Sequence, residues 1–266
     1  MAGTLALAAA DGVQVTLVTA TLGEQGEVIG DELQGLVAER ADQLGGYRLT
    51  ELRAACEALG VTDRRMLGGV GEFRDSGMAG TPSAAHPRAF VQAATGGPDH
   101  QRAVDALAAV IEEVQPQVLL TYDSDGGYGH PDHVAAHQVA VAAAGRARWR
   151  IPRVLGVIRP QGATRAAFAA FTVPRGYLGA GADQVGFLAS DDAVVAAVDV
   201  RSVTATRRRA LAAHATQVEL LPGGFALSNR IGQPMPDAEY YRLLTGEPLP
   251  NRQDGSPAGD VFAGLA

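Results

Sequence analysis

Apolar residues recur along the 266-residue chain in two rhythms. Short runs rich in Val, Leu and Thr, at residues 13–21, 65–67, 117–122 and 154–158, predict buried strands. Between them, apolar positions three and four apart predict helices. These cover the opening MAGTLALAAADG, residues 32–59 with a break at Gly45–Gly46, residues 102–114, and residues 131–144. Residues 68–98 are rich in Gly, Pro, Ser and Asp, and a loop that long inside a domain is usually functional.

Strands alternating with helices predict an α/β class: a Rossmann-like layered fold with a mostly parallel sheet. The unbroken apolar run QVLLTY suits a strand covered on both faces. Ligands in such folds bind beyond the carboxyl ends of the strands, so the loops after Thr21 and Tyr122 are the expected site. The fold normally opens with a strand, but this chain opens with the helix that should follow it; the first strand is apparently missing. Past residue 162 the pattern weakens, and the tail from Pro248 reads as loosely ordered. No repeat or linker divides the chain. Residues 1–160 read as the catalytic core and 161–266 as the C-terminal part of the same domain.

Composition narrows the functional classes. Hydrophobic residues make up 47% and charged residues 19%, a folded rather than disordered balance. A net charge of −7 removes the electrostatic basis of nucleic-acid binding. Every basic residue is Arg, so Schiff-base and P-loop lysines are excluded. The single cysteine, Cys56, forms no intrachain disulfide and sits in the helical pattern LRAACEALG as a buried thiol, which fits a cytoplasmic location. The apolar start lacks a basic leader segment, and no stretch approaches the ~18 apolar residues of a membrane span.

Chemistry concentrates in GGYGHPDHVAAHQ, residues 126–138, which holds three of six histidines. Pro131 suits the first turn of a helix, with His130 near its cap. His133 and His137 lie four apart on one face, a spacing that can bind zinc. Spacing alone equally allows a polar helix start with an imidazole in solvent.

Together with TLGEQGEVIGD, ADQLGGYR, FRDSGMAGT and LAAHATQVE, the segment TYDSDGGYGHPDH resembles the LmbE-like (PIG-L type) zinc N-deacetylases, from Met1 to about Asn229. The likeness is greatest to members acting in mycothiol synthesis. It implies hydrolysis of the acetamide of an N-acetyl-glucosaminyl-inositol, a small amino-sugar substrate, with one Zn2+ per chain. An amidase cleaving mycothiol S-conjugates is the alternative of the same chemistry, and a non-catalytic sugar-binding relic the alternative of another class.

Residue by residue, the resemblance makes His133 a metal ligand and His130 the group that stabilises the oxyanion. Asp132 tunes the histidines and Tyr128 contacts the polarised oxygen. Glu27, Arg48 and Asp75 would hold substrate hydroxyls, with Met78 packed near them or in the core. His137 would be a bystander, and His214 either lines the pocket or packs its helix. The family's His-Pro-Asp-Asp segment, with two more ligands and the general base, has no match: His86–Pro87 and His130–Pro131 are not followed by two aspartates. The expectation is that the chain as written holds zinc weakly and lacks deacetylase activity, the cause being a misplaced start codon.

Overall fold

In the computed structural model, which describes residues 1–265, the opening residues form α1 (Ala2–Ala10), and β1 (Thr16–Thr19) follows. The expected long helix is shorter: residues 32–43 form turns around a 3-10 segment (Gln34–Leu36), and α2 spans Leu44–Leu59. The glycine pair does not break it. A Cβ on Gly45 would lie 2.9 Å from that of Leu22, so the missing side chain lets α2 press against the loop after β1. Gly60 ends the helix in the left-handed conformation, φ 77°, with its N–H returned to the last turn.

β2 (Asp63–Met66), α3 (His100–Val114), β3 (Val118–Tyr122), α4 (Pro131–Arg146) and β4 (Arg153–Ile158) come where the sequence pattern puts them. Beyond them are α5 (Gln161–Ala170), β5 (Ala196–Asp199), α6 (Thr204–Ala212) and β6 (Glu219–Leu221). The last strands are β7 (Gly224–Ala226), β8 (Gln233–Pro234) and β9 (Ala238–Gly246).

β1 and β2 pair in parallel, as do β3 and β4. The larger sheet has the order β3-β4-β9-β5, with β9 antiparallel to both its neighbours, and β6-β7-β8 form a small separate sheet. Helices cover both faces. On one side α3 and α4 enclose a core of Phe73, Phe90, Val104, Ile111 and Val139. On the other, α1, α2 and α6 pack around Ala6, Ala55, Cys56 and Ala210, beside a cluster containing Leu155, Tyr241 and Val261.

The tail after Pro248 is tied in, contrary to the sequence expectation. Arg153 is completely buried, and its guanidinium donates to the carbonyls of Glu247 (3.0 Å), Val261 (2.7 Å) and Pro248 (3.2 Å). A buried cation needs such partners, and the tail supplies them. Glu239 is a second buried anchor, accepting from the N–H groups of Gly3 and Thr4 and from the Thr4 hydroxyl.

β1 and β3 are both sheet edges, and no strand lies between them among the described residues. A cavity of about 760 Å³ runs along both edges. Its roof is α3 and α4, through Leu107, Ile111 and Ala136; its floor is α1 and the tail, through Leu5 and Phe262. No helix among the described residues is long and apolar enough to cross a membrane.

Candidate active site

Loops following β1, β2 and β3 converge on Asp75. Its Oδ1 accepts from the N–H of Gly77 (2.9 Å) and its Oδ2 from that of Gln25 (3.3 Å), while its own N–H donates to the buried Glu24 (3.0 Å). Next to it, Ser76 N–H donates to Asp132 Oδ2 at 3.0 Å. The carboxyl ends of these strands thus point to one place, as a doubly covered α/β sheet requires.

The histidines sit on α4, whose cap is His130. His130 Nδ1 accepts from Asp132 N–H (3.2 Å), so in the neutral ring the proton lies on Nε2, 3.9 Å from Asp75 Oδ1. Burial lowers the His130 pKa below its ordinary value, with Asp75 opposing. His133 takes the opposite tautomer. Its Nδ1 faces the carbonyl of Gly126 at 3.1 Å and must donate, leaving the Nε2 lone pair free. Burial pulls this imidazole down to about 4, against the Gly126 hydrogen bond. Gly126 adopts φ 67°, and a Cβ there would lie 2.8 Å from His133 Cβ, so the carbonyl reaches the ring only because the residue is glycine.

Tyr122 stacks on His133 with ring centroids 4.0 Å apart, and Tyr128 meets it edge-on at 5.0 Å. Tyr128 is 47% exposed, its hydroxyl raised in pKa by burial of the ring and by Asp75, so it remains a proton-bearing donor at neutral pH. Asp132 is buried with Oδ1 unpartnered. Burial pushes its carboxyl up to about 7, against the Ser76 hydrogen bond and with the charge of Asp75.

Arg48 reaches in from α2 and donates to Gly23 O at 2.8 Å. Burial lowers its pKa, while Asp75, Glu51 and Glu24 hold the charge in place. Arg48, Asp132, His133 and His214 all line the 760 Å³ cavity, and His133 and Tyr128 also border a smaller one of about 190 Å³ with Arg159 and Phe187.

Asp75, His130, Asp132, His133, Tyr128 and Arg48 therefore gather in one region. Glu27 stands at its rim, its side chain exposed and its carbonyl receiving Gln217 Nε2 at 3.0 Å. Met78 is 48% exposed, which removes core packing as its role. His137 turns away from the cluster, its Nδ1 donating to the backbone carbonyl of Tyr122 at 2.8 Å. His214 lies on the cavity wall, lowered in pKa by burial.

Sequence reasoning missed three supports. Glu24 holds Asp75, Tyr122 stacks on His133, and buried Glu51 accepts from both the N–H and hydroxyl of Thr216 (2.8 and 2.9 Å). Glu24 was legible as an acid in the loop after β1; the other two announce themselves only through packing. Among the described residues no three His, Cys, Asp or Glu side chains are grouped to hold a metal ion.

In fold, the chain is similar to the hydratase GalB of Pseudomonas putida (17% identity, TM-score 0.54, covering 94% of this chain and 92% of that one). It is also similar to a deacetylase of teicoplanin biosynthesis, solved in complex (20% identity, TM-score 0.51, 90% and 91%). In sequence it is 69% identical, over all 266 residues and 91% of the relative, to the 1D-myo-inositol 2-acetamido-2-deoxy-alpha-D-glucopyranoside deacetylase of Nakamurella multipartita. The Nocardia farcinica protein of the same name is 48% identical over 99% of this chain and 91% of its own length. The family model for GlcNAc-PI de-N-acetylase, PIG-L, matches residues 1–144, the stretch that contributes α1, Arg48, Asp75 and the α4 histidines. The chain belongs to the PIG-L family of N-deacetylases.

Proposed function

We propose that the protein acts on 1D-myo-inositol 2-acetamido-2-deoxy-alpha-D-glucopyranoside, hydrolysing its acetamide to acetate and a free amine. The observation that carries this reading is the 69% identity, across the whole chain, to a relative that bears that activity in its name. The same observation favours the deacetylase over the related S-conjugate amidase. A cytoplasmic location accords with the buried, unpaired Cys56.

Zinc is the metal expected of the family, and it would polarise the amide carbonyl and activate water. His133, with Nε2 free, is the residue here suited to bind it. A catalytic zinc normally takes three protein ligands. Among the described residues no two further His, Cys, Asp or Glu side chains are grouped with His133 to complete a metal site, so by themselves they do not fit a tightly held ion.

The chain's own residues account for positioning and for charge. Asp75, oriented by two backbone N–H groups, and Arg48 match the donors and acceptors of adjacent sugar hydroxyls. The amide carbonyl carbon takes the oxygen of water, its C–N bond breaks, and the nitrogen gains a proton. His130 Nε2–H and the Tyr128 hydroxyl are placed to donate to the carbonyl oxygen as it gains charge. Asp132, between Ser76 and the His130 cap, fixes the start of α4 against the β2 loop.

The single imidazole ligand favours a second reading, a sugar-binding protein without hydrolysis. Amine release from the N-acetyl sugar in zinc-supplemented buffer, measured beside calorimetric binding of the same sugar, separates the two. Release supports the deacetylase, binding alone supports the second reading, and neither defeats both.

A further inference from the structure

The smaller cavity, of about 190 Å³, joins His133 and Tyr128 to a part of the molecule that the proposed reaction leaves unused. β3 and β4 run parallel with Tyr122 opposite Val157, so their carboxyl ends lie side by side. Arg159, just past β4, therefore emerges beside the histidine loop. Residues 185–189 are tied across both. Ala189 N–H donates to Arg159 O at 2.9 Å, Gln161 N–H to Ala189 O at 3.0 Å, and Phe187 N–H to Gly127 O at 2.8 Å. The segment thus joins the end of β4 to the loop that carries Tyr128.

Arg159 lines the cavity with no carboxylate partner among the described residues. Its Nη1 donates to Val185 O at 3.1 Å, which uses one of a guanidinium's five donors. The acids on the cavity wall are engaged elsewhere: Asp123 pairs with Arg242 at 3.2 Å, and Asp125 accepts from Gly127 N–H at 2.7 Å. Burial lowers the Arg159 pKa, and no neighbouring charge opposes it. Arg153, by contrast, spends its donors on three backbone carbonyls. A half-buried cation with donors to spare on a cavity wall is arranged to receive an anion. Val157, Ile158, Phe187 and Ala189 make much of the remaining wall apolar.

We infer that this cavity is the acyl side of the active site, taking the methyl group of the acetamide and then, at Arg159, the carboxylate of the released acetate. The inference rests on the proposed deacetylase reading. His133 lines both cavities, and the larger one carries Arg48 and His214, so sugar and acyl group lie on either side of the reacting carbon. Hydrolysis turns a neutral acyl group into an anion. The carbonyl carbon keeps its methyl, takes the oxygen of water and loses its bond to nitrogen, while the hydrogens of water end on the amine as an ammonium group. The apolar wall suits the methyl at every stage. The guanidinium meets a full charge only after the C–N bond has broken, so the pocket favours product acetate over the neutral amide.

The test titrates the full chain, labelled with nitrogen-15, with sodium acetate against sodium chloride at matched ionic strength. Saturable shifts are expected at the amides of Gly127 and Phe187 and at Arg159 Nε–H. Acetamide, the neutral isostere, should bind about tenfold more weakly or less. Arg159→Gln should weaken acetate by about tenfold or more, and Arg159→Lys, which keeps the charge but not the planar fork, should fall between. Arg159 also holds Val185, so spectra without acetate show whether each variant keeps residues 185–189 in place; if Gln displaces them, Lys and the acetamide contrast decide. The proposal is overturned by no saturable shift, by equal shifts with chloride or acetamide, by shifts centred on Arg48, or by unchanged affinity in a correctly folded Arg159→Gln. Acetate binding needs no turnover, so the two readings fail separately. Amine release without an acetate site at Arg159 defeats this inference alone, whereas an acetate site on a chain that releases no amine upholds the pocket and counts against the activity.

Discussion

β3 and β4 lie side by side with similar apolar sequences, and their fates differ. β4 has β3 on one edge and β9 on the other, and Val154, Leu155 and Ile158 are buried. Among the described residues β3 has a partner on one edge only, and Leu119 and Leu120 remain half-buried. Hydrophobic sequence sets how much a strand can bury; the second neighbour decides how much it does bury. The same contrast separates the β4-β9-β5 half of the molecule from the β1-β2 half.

The contrast is sharpest in stability. Leu155→Ala, in the doubly paired half, should cost about 3 kcal/mol, whereas Leu120→Ala, beside the open cavity, should cost about 1 kcal/mol. Urea unfolding of both variants measures the difference, and equal losses would erase the distinction.

Acid should act on the well-packed half as well. Burial raises the Glu239 carboxyl, but the amino terminus and the hydrogen bonds from Thr4 and Gly3 outweigh it and hold the pKa down to about 2. A depressed carboxylate pKa stabilises the fold above the unfolded value of about 4.5 and loses that contribution as pH falls toward 2. The loss is on the order of 3 kcal/mol. Unfolding followed from pH 6 to pH 2 should show it, and Glu239→Gln should flatten the profile.

At the site, which spans the junction of the halves, the buried and rim carboxylates should differ. Asp75→Ala should weaken calorimetric binding of the sugar by about tenfold or more, while Glu27→Ala, at an exposed position, should weaken it about twofold. A larger loss at Glu27 would place the sugar at the rim instead. His137→Ala should cost about 1 kcal/mol of stability through its bond to Tyr122 O and leave sugar binding unchanged.

Much of this was legible in the sequence. Continuous apolar runs marked β1, β3 and β4, because strands covered on both faces need them. The His130–Pro131 pair marked the start of α4, because proline fits a helix's first turn. The tautomers of His130 and His133 were not legible: both depend on backbone atoms, Asp132 N–H and Gly126 O, that carry no side-chain signature. Gly45 misled for a related reason, since a glycine that admits a neighbour reads the same as one that ends a helix. β9 was missed because AEYYRLLTG mixes charges into its run, and only pairing on both edges explains why Tyr241 is buried.

The position of β9 in the sheet also sets a timetable. Among the described residues β5 reaches the sheet only through β9, and Arg153, on β4, finds its carbonyl acceptors at Glu247, Pro248 and Val261. A ribosome that has released the first 200 residues has therefore made β4 and β5 but nothing to join them, and has left a guanidinium waiting in an apolar layer. This half of the molecule must assemble after Val261 has been made, through contacts about a hundred residues apart in the chain, the kind of topology that folds slowly. During that interval β4 is the edge most in need of a chaperone's cover.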